Sequence, residues 1–224
     1  EASAEMSTQA VINLMKKYNL SSEEIDAIIV ATITPDMMFP ATAALVQNNI
    51  NANNAWGYDL SAACSGFLFA LQSGASLISS RQCNKVIVIG VDTMSSILDF
   101  KDRNTCILFG DGAGAVLLEP SKEYGIIDSE LRIDGKGADY LKMPAGGSLQ
   151  PATKDTVENR LHFVRQDGKT VFKKAVKEMT NITYQVANRN NLSKENIDLF
   201  IPHQANKRII DATASRLGLD DSQV

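Results

Sequence analysis

Two side chains in this sequence have the chemistry of a thiol nucleophile and a proton-transfer partner. Cys64 follows the strand-like run Gly57-Tyr58-Asp59-Leu60 and a turn of small residues, Ser61-Ala62-Ala63. It directly precedes an apolar helical stretch from Ser65 to Ser79. A thiol so placed feels the positive end of the helix dipole and its unpaired N–H groups, which favour thiolate. The same N–H groups can stabilise an oxyanion. Ala62, Ala63 and Gly66 keep side chains clear of an approaching acyl group. Most cysteines are simply small buried hydrophobes, and Cys83, in a polar turn, and Cys106, in a strand-like run, are read that way. His203 stands at the carboxyl end of Leu199-Phe200-Ile201-Pro202, where a last helix begins. Ligands of α/β sheets gather at such strand ends, so His203 is either a general base or hydrogen-bond donor beside Cys64, or a helix-capping residue. The second histidine, His162, alternates with apolar residues as on an exposed strand face. A thiolate that needs an imidazole has one candidate.

The elements that must position these groups alternate. An amphipathic helix carries Val11, Leu14, Met15 and Tyr18 on one face. Strand-like runs follow at Ile25–Ile33, Trp56–Leu60 and Val86–Val91, separated by helices over Ala41–Asn48 and Ser65–Ser79. Beyond a polar loop around Asp99–Arg103, Cys106–Phe109 and Ala113–Leu118 read as two strands joined by Gly110-Asp111-Gly112. Strands and helices in this order indicate an α/β sheet with both faces covered. A long helix is expected over Thr170–Arg189 and a final one over Ala205–Leu217, ending at Gly218.

One unit occurs twice. Asn19-Leu20-Ser21-Ser22-Glu23-Glu24-Ile25-Asp26 returns as Asn191-Leu192-Ser193-Lys194-Glu195-Asn196-Ile197-Asp198, identical at six of eight positions and offset by 172 residues. That period is too long for a solenoid or propeller and suggests two similar α/β halves. We therefore expect an N-terminal half over 1–119 carrying the nucleophile, a Gly-, Pro- and charge-rich connector with short strands over 120–165, and the start of a C-terminal half over 166–224. The second copy ends soon after its strand, so the chain reads as a fragment lacking both ends.

Composition narrows the function classes. The chain has 224 residues, 44% apolar and 21% charged, which is enough for a real core and excludes disorder. No apolar run approaches the roughly 18–20 residues of a membrane span. A net charge of −4 argues against a phosphate-backbone surface. Three cysteines without C-x-x-C spacing read as reduced thiols of a cytoplasmic protein, and no metal-ligand pattern is present. Gly110-Asp111-Gly112-Ala113-Gly114 has neither phosphate-loop nor dinucleotide spacing and leads into a strand, so it is read as tight turns packed against the active-site face. Lys169, Lys173 and Lys177 on one helix, with Lys207, Arg208 and Arg216 on the next, form local basic stripes that suit an anionic ligand or partner, although each alone fits a solvated face.

Asp59-Leu60-Ser61-Ala62-Ala63-Cys64-Ser65-Gly66-Phe67, Phe109-Gly110-Asp111-Gly112-Ala113-Gly114-Ala115 and Ile201-Pro202-His203-Gln204-Ala205-Asn206-Lys207-Arg208 together resemble the 3-oxoacyl-acyl-carrier-protein synthase III family, in matching order along the whole chain. The resemblance implies a thiolase-like, duplicated α-β-α-β-α layered fold, incomplete in this chain. It also implies the initiating condensation of bacterial type II fatty acid synthesis. Cys64 matches the cysteine that takes an acetyl group from acetyl-CoA, and His203 the histidine that assists decarboxylation of malonyl-acyl-carrier protein (ACP) together with an asparagine. The product is 3-oxoacyl-ACP. Gln204, Ala205, Asn206, Lys207 and Arg208, with Lys173, match the carrier-protein contact. Arg103, Phe39, Phe109, Gly168 and Asn206 match substrate or CoA contacts, with Phe39 lining the acyl pocket across a homodimer interface. The resemblance implies acyl-CoA and ACP as substrates and partners, no permanently bound cofactor, and no role for nucleic acid or membrane.

The departures from the family pattern matter too. The family's catalytic asparagine falls beyond Val224, Asn206 does not replace it, and the Gly-rich C-terminal loop and CoA-stacking tryptophan are also missing, so the fragment alone is expected to be inactive. Elongating synthases, with two histidines in His-Gly-Thr settings, and plant-type polyketide synthases, with His-Pro-Gly-Gly, do not match. Two other readings stand beside this one: a cysteine acyl hydrolase, whose nucleophile elbow would want a glycine at Ala62, and a non-catalytic acyl-carrier-binding scaffold. Starter preference rests on a methylene or two, worth about 1–3 kcal/mol in a pocket, and is not legible here.

Overall fold

Alternating β-branched residues build the sheet that carries Cys64. The computed structural model describes residues 1–224, in two units: Glu1–Ser96 with Gly110–Ile127, and Ile97–Phe109 with Asp128–Val224. In the first unit the order is α1 (Ser3–Tyr18), β1 (Ala27–Ala31), α2 (Thr42–Asn49), β2 (Trp56–Leu60), α3 (Gly66–Ser79), β3 (Val86–Thr93) and β4 (Asp111–Leu118). The sheet runs β2-β1-β3-β4. β1 is parallel to both neighbours, with Ala31 beside Leu60 and Gly90, and β4 is antiparallel to β3.

Every residue of β1 is buried. Period-two alternation sends Ile28, Val30, Ile87, Ile89 and Val91 to one face, where they pack with Val11 of α1 and Val46 of α2. Ala27, Ile29, Ala31, Val86 and Val88 point to the other face, against Ala70 and Phe67 of α3. Each fully buried Val or Ile contributes about 1.5–3 kcal/mol, so this two-faced core outweighs any single polar contact around it.

Several sequence expectations change. Tyr18, placed on the apolar face of the first helix, is 57% exposed. Cys106–Phe109 is not a strand. Asp102 accepts from Asn104 N at 3.0 Å and Thr105 Oγ1 at 2.9 Å, and these local side-chain bonds fold the segment into turns. The glycines after it are not turns: Gly112 and Gly114 lie within β4, opposite Asp92 and Gly90.

In the second unit, β5 (Leu141–Lys142) pairs with β6 (Arg165–Gln166), with α4 (Lys154–Glu158) between them in sequence. α5 (Gly168–Arg189) and α6 (Lys207–Leu217) follow. Val176 and Thr180 of α5 and Ile209 and Ala214 of α6 are buried, and Tyr184 Oη donates to Arg216 O at 2.7 Å. His162 is not on an exposed strand face. It is half-buried just before β6, with Nε2 2.9 Å from Thr156 Oγ1.

The repeated octapeptide adopts one conformation twice. Asn19 and Asn191 are left-handed, with φ of 50° and 55°. Ser21 N–H donates to Glu24 and Ser193 N–H to Asn196, each at 2.9 Å, closing equivalent capping boxes over short 3-10 turns. The copies then part. Ile28–Val30 enters the sheet, whereas Leu199–Pro202 forms no strand, and Leu199 and Ile201 are 59% and 77% exposed. An extended segment becomes a strand only by pairing, and no strand of the chain lies beside this one. No helix is long and apolar enough to cross a membrane.

Candidate active site

Cys64 sits in a 3-10 turn, Ala63–Ser65, that connects β2 to α3. Ala63 adopts φ 46°, a left-handed conformation unusual for a residue with a Cβ. Strain of this kind costs about 1–3 kcal/mol and collects where a side chain must be aimed. The start of α3 lies tight on the strand ends. A Cβ on Gly66 would come 3.2 Å from Ala31 Cβ, and one on Gly90 would come 3.2 Å from Phe67 Cδ2. These two glycines let the helix start descend onto β1 and β3.

Cys64 is an exposed residue, but its ionisation runs opposite to the expectation from the helix dipole. The protein packed around the sulfur strips hydration from a thiolate and pushes the pKa above its ordinary value, and the carboxylate of Asp92 adds to the rise. The backbone N–H of Cys64 pulls the other way and is the smallest influence. Within this unit the protein around the sulfur thus favours the neutral thiol.

Asp92 was not singled out from the sequence. Its Oδ1 accepts from Ile33 N at 2.9 Å and from the hydroxyls of Thr32 and Thr34 at 3.2 Å each. Thr32 N–H in turn donates to Leu60 O at 3.1 Å, joining the ends of β1, β2 and β3. The signal that could have found it is periodicity: Val86, Val88, Gly90 and Asp92 form one alternating row, and the first two face α3. Phe39, in the loop before α2, is 84% exposed.

His203, Gln204–Arg208, Lys173, Gly168, Arg103 and Phe109 belong to the second unit, as Cys64 and Phe39 belong to the first. His203 follows buried Pro202 in an irregular segment. The surrounding chain dehydrates its imidazolium and lowers its pKa below the ordinary 6.5, so the ring is neutral at pH 7 and able to accept a proton. The helix cap is Asn206, not His203: Asn206 Oδ1 accepts from Arg208 N at 2.9 Å. Arg208 lies over the Phe172 ring of α5 at 5.7 Å, one residue from exposed Lys173. Lys207 is exposed and pairs with Asp211 at 2.8 Å, and Gln204 Nε2 donates to Pro202 O at 3.1 Å. Gly168 opens α5 behind its cap Asp167, Arg103 is exposed, and Phe109 is half-buried. No group of three or more His, Cys, Asp or Glu side chains is arranged to hold a metal ion.

Comparison with known proteins adds an independent line. Residues 58–135 match the family model described as 3-Oxoacyl-[acyl-carrier-protein (ACP)] synthase III, and residues 187–224 match its C-terminal counterpart. Beta-ketoacyl-[acyl-carrier-protein] synthase III of Chlorobaculum tepidum is 55% identical over 227 aligned positions, covering 100% of this chain and 69% of that protein. The solved 3-oxoacyl-ACP synthase III of Thermus thermophilus superposes with a TM-score of 0.89 at 38% identity, covering 100% of this chain and 68% of that one. That of Pseudomonas aeruginosa gives 0.89 at 35%, covering 100% and 67%. An identity this high over a share this large fixes both the thiolase-like fold and the line of descent: the chain belongs to the 3-oxoacyl-[acyl-carrier-protein] synthase III family, the initiating condensing enzymes of type II fatty acid synthesis.

Proposed function

We propose that Cys64 carries the acyl group of this family's reaction and that His203 serves the decarboxylating half. Cys64 S–H attacks the carbonyl carbon of acetyl-CoA, or of another short acyl-CoA. The bond from that carbon to the CoA sulfur breaks, and the thiol proton ends on CoA. The α-carbon of malonyl-ACP, freed of CO2, then attacks the acyl carbon. A carbon–carbon bond forms, the bond to Cys64 breaks, and the sulfur regains a proton. Neutral His203 donates a hydrogen bond to the charge that develops as CO2 leaves. The observation that carries this reading is the exposed Cys64 on its strained turn at the start of α3, flanked by small residues.

The carrier protein is an acidic partner in this proposal. It docks on Gln204–Arg208 and Lys173, where Lys173, Lys207 and Arg208 are exposed cations. Arg103, Phe39, Phe109, Gly168 and Asn206 are assigned to CoA and acyl contacts. A homodimer fits the edge strand β2, which pairs on one side only, and the 84–87% exposure of Met38 and Phe39. We place the enzyme in the cytoplasm, and we read 1–119 and 166–224 as thiolase-like halves joined through 120–165.

Incubation of the intact protein with acetyl-CoA, followed by peptide mass spectrometry, is expected to place one acetyl group on Cys64 and none on Cys83 or Cys106. Wild-type acylation and turnover by Cys64→Ser would overturn the assignment. Release of free acetate without condensation would mark a hydrolase.

A further inference from the structure

One arginine of the second unit stands where glycine is the usual residue. After α4 the chain closes in a Schellman arrangement: Leu161 N–H donates to Thr156 O at 3.0 Å and Arg160 N–H to Val157 O at 3.0 Å, with Arg160 left-handed at φ 55°. A residue with a Cβ is disfavoured in that conformation and glycine is not, so the turn alone gives no reason for an arginine. The side chain does. Its Nε donates to Asp99 Oδ2 at 2.9 Å and its Nη2 to Asp99 Oδ1, a forked pairing that a lysine cannot make. The guanidinium also lies over the Phe163 ring, 4.8 Å from its centre.

Asp99 opens the loop that carries Arg103. Ile97 O accepts from Val164 N at 2.9 Å, and Leu98 is buried. Asp99 Oδ1 also accepts from Lys101 N at 2.8 Å, and Asp99 O from Asp102 N at 2.9 Å. Asp102 Oδ1 accepts from N and Nδ2 of Asn104, at 3.0 Å and 3.1 Å, and so spans Arg103 between them. Buried Thr105 closes the loop, with Oγ1 donating to Asp102 Oδ2 at 2.9 Å. Both carboxylates of the loop are thereby engaged, while Arg103 is exposed and forms no ion pair.

We propose that Arg160 is a positioning residue for acyl-CoA: by clamping Asp99 it holds the Asp99–Thr105 loop in the arrangement that presents the Arg103 guanidinium to CoA, an anion through its phosphates. This rests on the reading of Arg103 as a CoA contact and deepens it. Surface loops are mobile by default, and a cation on a loop already ordered loses less freedom when the ligand arrives. Arg160 reaches the loop from a segment that follows it by about sixty positions, so it fixes the loop against the body of the unit. The bonds of Asp102 order the loop only within itself.

The test is the dissociation constant of CoA, measured by titration calorimetry on the intact protein. A loop that holds its arrangement about a tenth of the time weakens apparent affinity about tenfold, and that is the change expected in Arg160→Gly. Glycine suits the left-handed turn, so the melting temperature is expected to stay near the wild-type value. The rate of Cys64 acetylation at saturating acetyl-CoA is expected to be unchanged. Asp99→Asn weakens the same clamp from the other side, so it too is expected to loosen CoA and to add nothing in combination with Arg160→Gly. Arg103→Ala removes the contact itself and is expected to weaken CoA at least as much as either. Wild-type affinity in Arg160→Gly would overturn the proposal. With Arg103→Ala weakened, that result would mean the loop needs no anchor; with Arg103→Ala also at wild type, the reading of Arg103 would have failed first. Weakening in Arg160→Gly but not in Arg103→Ala would overturn it as well, since the clamp would then act by another route. CoA titration involves no acyl transfer, so failure here is distinct from failure of Cys64 to take an acyl group.

Discussion

Around Cys64, individual residues set distances that the chemistry needs. Gly90 is the clearest case, because Phe67 occupies the space a side chain would fill, with Cδ2 at 3.2 Å and Cβ at 3.4 Å from a built Cβ. Gly90→Val must push Phe67, and with it the first turn of α3. Overpacking of this kind costs about 1–3 kcal/mol, so a denaturation midpoint lowered by that amount is expected, together with slower Cys64 acylation. Wild-type stability would show that the helix start is not seated on β3. The sequence made the placement of Cys64 legible, since a cysteine between small residues at a strand-to-helix turn is a local pattern. It did not make the sign of the pKa shift legible. Burial and Asp92 act through space, and 28 positions separate Asp92 from Cys64. The left-handed Ala63 was hidden for a related reason: nothing in an alanine announces a positive φ.

Among the elements, periodicity read well wherever one helix face or two sheet faces are buried. Val86–Val91 lies within β3, and Ser65–Ser79 differs from α3 by one residue at its start. It failed where an element depends on a neighbour. Leu199–Pro202 has the composition of β1 but no strand to pair with, and Cys106–Phe109 loses to the turn that Asp102 closes. Helix starts shifted to their caps: α6 begins after Asn206 and α5 after Asp167. The C-terminal end of α5 is held by charge. Arg189 bonds Asp128 at 2.7 Å and 2.9 Å and Glu130 at 2.8 Å, and Asn190 adds a bond to Asp128 at 2.6 Å. Arg189 first, then Asn190, lower the Asp128 pKa to about 2. The folded value lies below the ordinary 3.8, so this stabilisation is present above about pH 4 and is lost as pH falls toward 2. Acid melting followed by the far-UV helix signal is expected to flatten over that window in Asp128→Asn. An unchanged slope would show that the ion pair is not coupled to the stability of α5.

For the whole molecule, the repeated octapeptide carries the most information. The octapeptides at 19–26 and 191–198 fold into matching capped turns, and the chain covers about two thirds of family members that superpose on it with a TM-score of 0.89. The first unit contributes a thiol held neutral, and the second an imidazole held neutral. The proposed function assigns one half-reaction to each residue, and separating the half-reactions in the intact protein tests it most directly. His203→Ala should still form acetyl-Cys64 from acetyl-CoA, yet lose CO2 release and 3-oxoacyl-ACP formation by about 10²–10⁴-fold. Cys64→Ser should lose acetylation and condensation together. Condensation at the wild-type rate in His203→Ala, or loss of acetylation and condensation to the same degree in that variant, would contradict the account.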